Sequence, residues 1–375
     1  MAEMHRLQSE QLKLDQPLPW DVYDEAGQLL LRKGFVIERD AQILSLIERG
    51  MFVKTSDFNV YEKSPVQQVF DPLSLWESIQ AHLAYVLEAI PQDGSLQDEI
   101  QRLAKQVMLL SERAPDLALA AITLMDQRNY PIAHSMHSAI IADLVARRMA
   151  WDSAARTSLT SAALSMNIAM IDLQTRLCNQ REPLLREQRK AVNEHPAEGA
   201  RRLIMAGVND DEWLRAVLEH HETPDGKGYP RKVGNPGEMA MLLQTADVFT
   251  AKVSPRAHRR PMMASQATKE VFTKFSYEGK NPFPKQLVSE IGIYPPGAII
   301  RLANGEVGVV CKRGPNPKSP IVATLLNSTG MPVIKPVIRT TGSEPAYAIV
   351  GVMAHDSSMV GLNFEQIWGG KDAAR

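Results

Sequence analysis

The sequence predicts a mainly α-helical protein with a small α+β module at its N-terminus and a β-rich appendage at its C-terminus. Three observations predict it. From residue 71 to about 275, apolar residues recur at helical spacing in segment after segment, separated by loops rich in Pro, Gly and Asp. Short β-type runs are confined to the two ends of the chain. No strand–helix–strand rhythm is present, and no glycine-rich loop follows a strand, so a parallel sheet is not expected. The length, 375 residues, suits two or three cores, and the 44% hydrophobic content is enough to fill them.

The N-terminal module is placed at 10–60. Residues 18–35 read as two strands, with Val22 and Tyr23 in one, Leu29–Leu31 in the other, and Ala26-Gly27 at the turn. A helix is expected over 38–49, where Ile43, Leu44, Leu46 and Ile47 share a side and Gly50 offers a stop. Residues 51–55 read as a returning strand and 56–70 as a linker. The helical domain is placed at 71–289. Its first helix opens at Asp71 as cap and Pro72 in the first turn. Further helices are expected at 97–111, 115–127, 133–149, 152–168, 184–206, 210–221, 237–253 and 263–275. The appendage is placed at 290–360, with strands at 298–302 and 307–311 about the hairpin dipeptide Asn304-Gly305, and at 320–326, 332–338 and 346–353.

The charges narrow the function. With 42 basic and 43 acidic side chains the net charge is -1. A phosphate-backbone binder needs a concentrated positive field, so nucleic-acid polymers are not expected partners. A small anion held by a few local arginines is compatible. The two cysteines, Cys178 and Cys311, lie far apart with no partner at ligand spacing, which fits a reducing, cytoplasmic setting. The first residues hold no apolar core of a signal peptide, and the richest apolar run, 117–125, is too short to span a membrane.

Nine histidines are present, and six lie between 134 and 258. Two are adjacent in LEHHETPDGKGYP. Imidazoles ending a helix can face a cleft and bind Fe, Mn or Zn. The following loop, with Gly226, Gly228, Tyr229 and Pro230, has restricted geometry suited to a pocket wall. From composition alone, a capped helix followed by a solvent loop is an equally good reading.

The run from His220 to Pro230 resembles the HHExxDGxGYP signature of the HD-GYP family, at every fixed position. EHPAEGARRL (194–203) is similar to that family's HPxxG segment and AHSMHSAIIADLVARRM to an early ligand-bearing helix. LLQTADVFTAKVSPRAHRRP is similar to the late helix and the basic segment after it, and YPPGAIIRLANGEVGVV to an extension that often follows. The resemblance covers about 115–330. It implies an HD-superfamily helical bundle, with His134, His195, His220, His221 and Asp247 as metal ligands. It implies phosphate contacts from Arg256 and Arg259, and a ligand wall of Gly228, Tyr229 and Pro230. Tyr229 stands equally for packing on a guanine ring or on its own loop, and His137 is expected to face solvent or serve structure.

The family's His-Asp pair and following basic residue correspond to Met166, Asn167 and Met170. Asparagine carries no charge to hold two ions together, and a thioether is a poor ligand for a hard cation. The resemblance therefore implies a divalent ion, Fe or Mn, present once or not at all. Asp172 lies beyond the broken motif, and helical spacing gives no strong reason for it to compensate. The main expectation is a protein of cyclic-di-GMP signalling that binds the nucleotide or a partner with weak or no hydrolysis. The alternative is an active metal-dependent phosphodiesterase producing pGpG or GMP. Cyclic di-GMP, GGDEF-domain proteins and a second copy of the chain are the partners this implies.

Overall fold

The computed structural model describes residues 4–7, 18, 20–35, 37, 51–56, 70–88, 90, 94–125, 127–256, 259–353 and 363–368. The helix expected over 38–49 and nearly all of the linker expected over 56–70 lie outside them. The chain divides into two compact units, Met1–Phe70 and Asp71–Arg375.

In the first unit, β1 (Met4–Arg6), β2 (Val22–Tyr23), β3 (Leu29–Leu31) and β4 (Phe52–Lys54) form an antiparallel sheet ordered β1-β4-β2-β3. Gly27 turns the β2–β3 hairpin at φ 81°, a conformation that costs glycine little. The Asp24 carboxylate secures the turn by accepting from the Gln28 N–H at 2.8 Å. Leu18, Trp20, Val22, Ile37, Met51 and Val53 form the buried core.

The second unit is built on helices α1 (Pro72–Glu88), α2 (Leu96–Arg113), α3 (Pro115–Leu124), α4 (Tyr130–Arg148), α5 (Ser153–Ser165), α6 (Ile171–Asn179), α7 (Arg186–Met205), α8 (Asp211–Glu219), α9 (Glu238–Val253), α10 (Ala264–Phe275) and α11 (Phe283–Ile291). Helix α4 is buried without a break from Tyr130 to Ala146. A helix apolar or small on every side belongs at the centre of a bundle, and α2, α5, α9 and α11 pack against this one. Asp152 caps α5 by accepting from the Ala155 N–H, and Asp210 caps α8 by accepting from the Trp213 N–H. The second Asp210 oxygen accepts from Ser158 Oγ at 2.6 Å. The indole of Trp213, fully buried, donates to Ser165 Oγ at 2.8 Å. These two bonds fix α8 to α5, and so fix where the residues after α8 emerge.

Helices α6 and α11 fall where no helix was expected. The expected helix over 152–168 ends at Ser165, and that over 210–221 ends at Glu219. After α11 comes an antiparallel sheet ordered β8-β7-β6-β5-β9, made of β5 (Ile299–Leu302), β6 (Val307–Lys312), β7 (Ile321–Leu326), β8 (Ile338–Thr340) and β9 (Ile349–Met353). Asn304-Gly305 turns the first hairpin, with Gly305 at φ 88°. The strand expected over 332–338 is not formed there. Pro332 and Pro336 lack the N–H a ladder needs, and pairing is reduced to one bridge, Leu326 with Pro332, until β8 begins. Arg313, just past β6, donates through Nε to Asp116 on α3 at 2.7 Å and through Nη1 to Glu290 on α11.

Of the two readings of His137, solvent-facing or structural, the burial of its side chain fits the second. It is 1% exposed, and its ring lies 5.6 Å from that of Trp76. Burial, reinforced by His134, lowers its pKa from 6.5 to about 3. The unfolded chain therefore takes up this proton first, and stability falls as the pH drops from about 6.5 towards 3. One such group contributes up to about 1.4 kcal/mol per pH unit. His137→Leu should remove that share of the slope when urea midpoints are compared between pH 7 and 4.5; an unchanged slope would assign the acid lability elsewhere.

Candidate metal centre

The three histidines meet because the middle of α7 packs against the C-terminal end of α8. His195 sits in α7, one residue before Pro196. His220 and His221 follow directly on α8. His195 Nδ1–H donates to the Val192 carbonyl at 2.6 Å, and His220 Nδ1–H donates to the Val217 carbonyl at 2.7 Å. Each bond spans three residues within the histidine's own segment, fixing the ring and its tautomer. The lone pair is left on Nε2, and the two Nε2 atoms lie 3.2 Å apart. With His221 added, one ring nitrogen from each residue lies within 4.8 Å of the others. His195 and His220 are 3% and 0% exposed. Burial lowers the pKa of all three imidazoles, that of His195 to about 3. Neutral rings, oriented from behind by carbonyls, with nitrogens converging on one point, are what an imidazole-bound transition metal requires. The residues present therefore fit one such ion.

His134 and Asp247 lie beside this cluster, on α4 and α9, which pack together. They are bonded to each other: His134 Nε2–H donates to Asp247 Oδ1 at 2.7 Å. Burial would raise the Asp247 pKa, but the His134 bond and the imidazoles around it outweigh that and hold the carboxyl well below the usual range. Thr250 Oγ1 lies 3.4 Å from His134 Nδ1 and 2.8 Å from Ser138 Oγ, so a hydroxyl pair backs the ring. Among the described residues, the three-nitrogen cluster is His195, His220 and His221, and His134 and Asp247 form a hydrogen-bonded couple next to it.

The loop after His221 is drawn tightly round the cluster. The Tyr229 N–H donates to the His221 carbonyl at 3.1 Å, and the tyrosine ring stacks on His221 with centroids 4.5 Å apart. Within its own loop the Tyr229 ring thus packs on His221. A Cβ at Gly228 would stand 2.4 Å from the His221 carbonyl oxygen, so the crossing admits only glycine. Pro230 follows a cis peptide bond. Glu222, 1% exposed, gathers the far side of the loop: its carboxylate accepts from the N–H groups of Arg231, Lys232 and Val233 at 2.6, 3.0 and 3.0 Å. The Gln244 side chain donates to the Glu222 carbonyl at 2.8 Å, tying the loop to α9.

Met166 is fully buried at the end of α5, Asn167 is 6% exposed, and the Asn167 carbonyl accepts from the Met170 N–H at 2.8 Å. These residues make a helical turn. Asp172 is exposed. Arg256 and Arg259 are partly engaged already. Arg256 Nη2 donates to the Tyr130 hydroxyl, with the guanidinium over the ring at 5.0 Å, and Arg259 Nη2 donates to the Ala251 carbonyl. Tyr130 in turn stacks on His134, 5.3 Å away and tilted by 11°. Sequence reasoning gave no role to Tyr130, Glu222 or Thr250. The spacing of Tyr130 to His134, four residues on one helix face, was the available signal for the first.

Residues 116–273 match the family model described as HD domain. A cyclic di-GMP phosphodiesterase of Pseudomonas aeruginosa is 26% identical over 251 residues, 63% of this chain and 60% of that protein. A 3'3'-cGAMP-specific phosphodiesterase of Vibrio cholerae is 31% identical over 141 residues, 37% of this chain and 30% of its own. The chain thus spans less than two thirds of the curated relatives it matches. Among solved structures, an HDG"Y"P protein from Bdellovibrio bacteriovorus aligns with 76% of this chain and 98% of its own, at 18% identity and a TM-score of 0.49. The three convergent histidines and the His134–Asp247 couple all fall inside the segment that matches the HD domain model.

Proposed function

We propose that this domain is a metal-dependent phosphodiesterase of the HD-GYP type acting on a cyclic dinucleotide, with cyclic di-GMP as the substrate to test first. The observation that carries the reading is the cluster of His195, His220 and His221, neutral and oriented to share one cation. The matched relatives, named for cleaving cyclic di-GMP and 3'3'-cGAMP, point to the substrate class. Water adds across one 3'–5' phosphodiester and one P–O bond breaks, giving the linear dinucleotide; a second cut gives GMP.

His195, His220 and His221 would hold a divalent ion such as Fe or Mn, which would supply Lewis acidity at the scissile phosphate. Asp247, kept ionised by His134, places a compensating negative charge beside the cluster. Arg259 contributes positive charge towards the phosphates, and Tyr229 with Gly228 and Pro230 forms a rigid wall beside His221.

The second reading, binding with weak or no hydrolysis and signalling to a GGDEF-domain protein or a second copy, is favoured by Met166 and Asn167. They offer no anion to bridge a second ion beside the first. The test is a long incubation of metal-assayed protein with cyclic di-GMP and Mn²⁺ or Fe²⁺ under reducing conditions, with the nucleotides then separated. Linear product proportional to bound metal supports the phosphodiesterase. No product from folded, metal-loaded protein leaves the binding reading.

A further inference from the structure

Glu219 is the last residue of α8 and stands directly before His220. It is 6% exposed, and three segments share its carboxylate. Oε1 accepts from Arg231 Nη2 at 2.7 Å, on the return of the loop. Oε2 accepts from Arg215 Nε at 3.2 Å, one turn back on α8, and from the Gly237 N–H at 2.9 Å. Two guanidinium partners supply the charge and the donors that a buried carboxylate needs.

Gly237 is the N-cap of α9. A helix start leaves backbone N–H groups without intrahelical partners, and a negative charge there suits the helix dipole. Glu219 meets both requirements, so it joins the end of α8 to the start of α9. A second tie joins the same two segments: the Gln244 side chain donates to the Glu222 carbonyl at 2.8 Å. Gly237 and Gln244 are seven positions apart on one face of the helix, about 10 Å along its axis. Asp247 stands one turn further on. Two ties at that spacing fix α9 both along its axis and about it. They therefore fix where the Asp247 carboxylate lies relative to His220 and His221.

We infer that Glu219 is a positioning residue of the metal centre: it anchors the start of α9 to the end of α8 and so holds Asp247 in register with His134 and beside the three histidines. The inference rests on the metal centre of the proposed function and not on its substrate. Its role differs from that of Glu222, whose carboxylate shapes the loop itself.

Glu219→Gln keeps the side-chain shape, removes the charge and turns an amide NH₂ towards these donors. Asp210→Ala is the control, because it uncaps the other end of α8 and leaves the start of α9 alone. Melting curves confirm that both are folded. The first readout needs no metal. The His134 ring N–H is donated to Asp247 across 2.7 Å, and its proton resonance is expected to shift in Glu219→Gln and to stay in place in Asp210→Ala. The second readout is Mn²⁺ affinity. Glu219→Gln should weaken it about tenfold, the lower end for a partner behind a metal site, and should cost nothing further in an Asp247→Asn background. An unmoved resonance, or the same shift in the control, would overturn the inference. So would losses that add in the double variant, since Glu219 would then act other than through Asp247. A parent chain that binds no metal sinks the phosphodiesterase reading, and the His134 resonance still decides the role of Glu219.

Discussion

The double variant His220→Ala, His221→Ala is expected to lose the capacity to hold a divalent ion and, with it, the proposed hydrolysis of cyclic di-GMP. Two of three converging nitrogens are removed. Loss of a mere orienting partner behind a metal ligand costs 10–100-fold in affinity, so loss of two ligands is expected to exceed about 100-fold. Metal analysis after dialysis is the direct measurement. The control for folding is thermal. A ligand that binds only the native state raises the melting temperature, so Mn²⁺ or Fe²⁺ should stabilise the parent protein and not the variant. Truncating His220, which is wholly buried, also leaves a cavity, and a loss of about 2 kcal/mol is expected from that alone. The comparison with and without metal separates the two effects. Equal metal content in parent and variant would place the ion elsewhere and remove the ground for the proposed activity.

Glu222→Ala is expected to cause the largest change outside the ligands. Its carboxylate is the acceptor for three successive backbone N–H groups, from Arg231 to Val233. Each donor left unpaired costs about 1–3 kcal/mol where it stays buried, and less where the loop relaxes to water. A total of about 3–5 kcal/mol follows, at the upper end for a single substitution. Glu222→Gln keeps one acceptor oxygen and should cost about half as much. Urea midpoints give the totals. Amide hydrogen exchange gives the location: protection should be lost at 231–233 and at Tyr229, whose N–H holds the loop to His221, while α4 stays protected. Midpoints within about 0.5 kcal/mol of the parent, with exchange unchanged, would mean the loop keeps its shape without this carboxylate.

Much of the fold was legible because its determinants are local. Helices α2, α9 and α10 follow from apolar spacing, and the β5–β6 hairpin from Asn304-Gly305. Helix α4 has no polar face to read, since it is buried from Tyr130 to Ala146; its histidines, not its periodicity, drew attention to it. Helices α6 and α11 are nine residues each, and α11 carries Pro284 in its first turn. Short segments of that kind are hard to tell from loops by pattern. In the site, the histidine cluster was legible because the motif keeps two ligands adjacent in sequence. The direct bond between His134 and Asp247 was not, because it joins residues 113 positions apart and depends on how α4 and α9 are rotated. Glu222 stood in the motif, yet its three N–H partners come from the loop's return and are visible only once the chain has closed on itself.

Arg313 acts as a buckle. Its two carboxylate partners, Asp116 and Glu290, stand at either end of the helical stretch that contains every candidate ligand from His134 to Asp247. One side chain from the terminal sheet thereby closes a long loop of chain. Closing a long loop costs little more entropy than closing a shorter one, but the closure restrains everything inside it. The sheet is in this sense a fastening for the metal centre without touching it. A change that loosens the sheet, whether a truncation or a bound partner, would slacken both ends of the histidine-bearing segment at once.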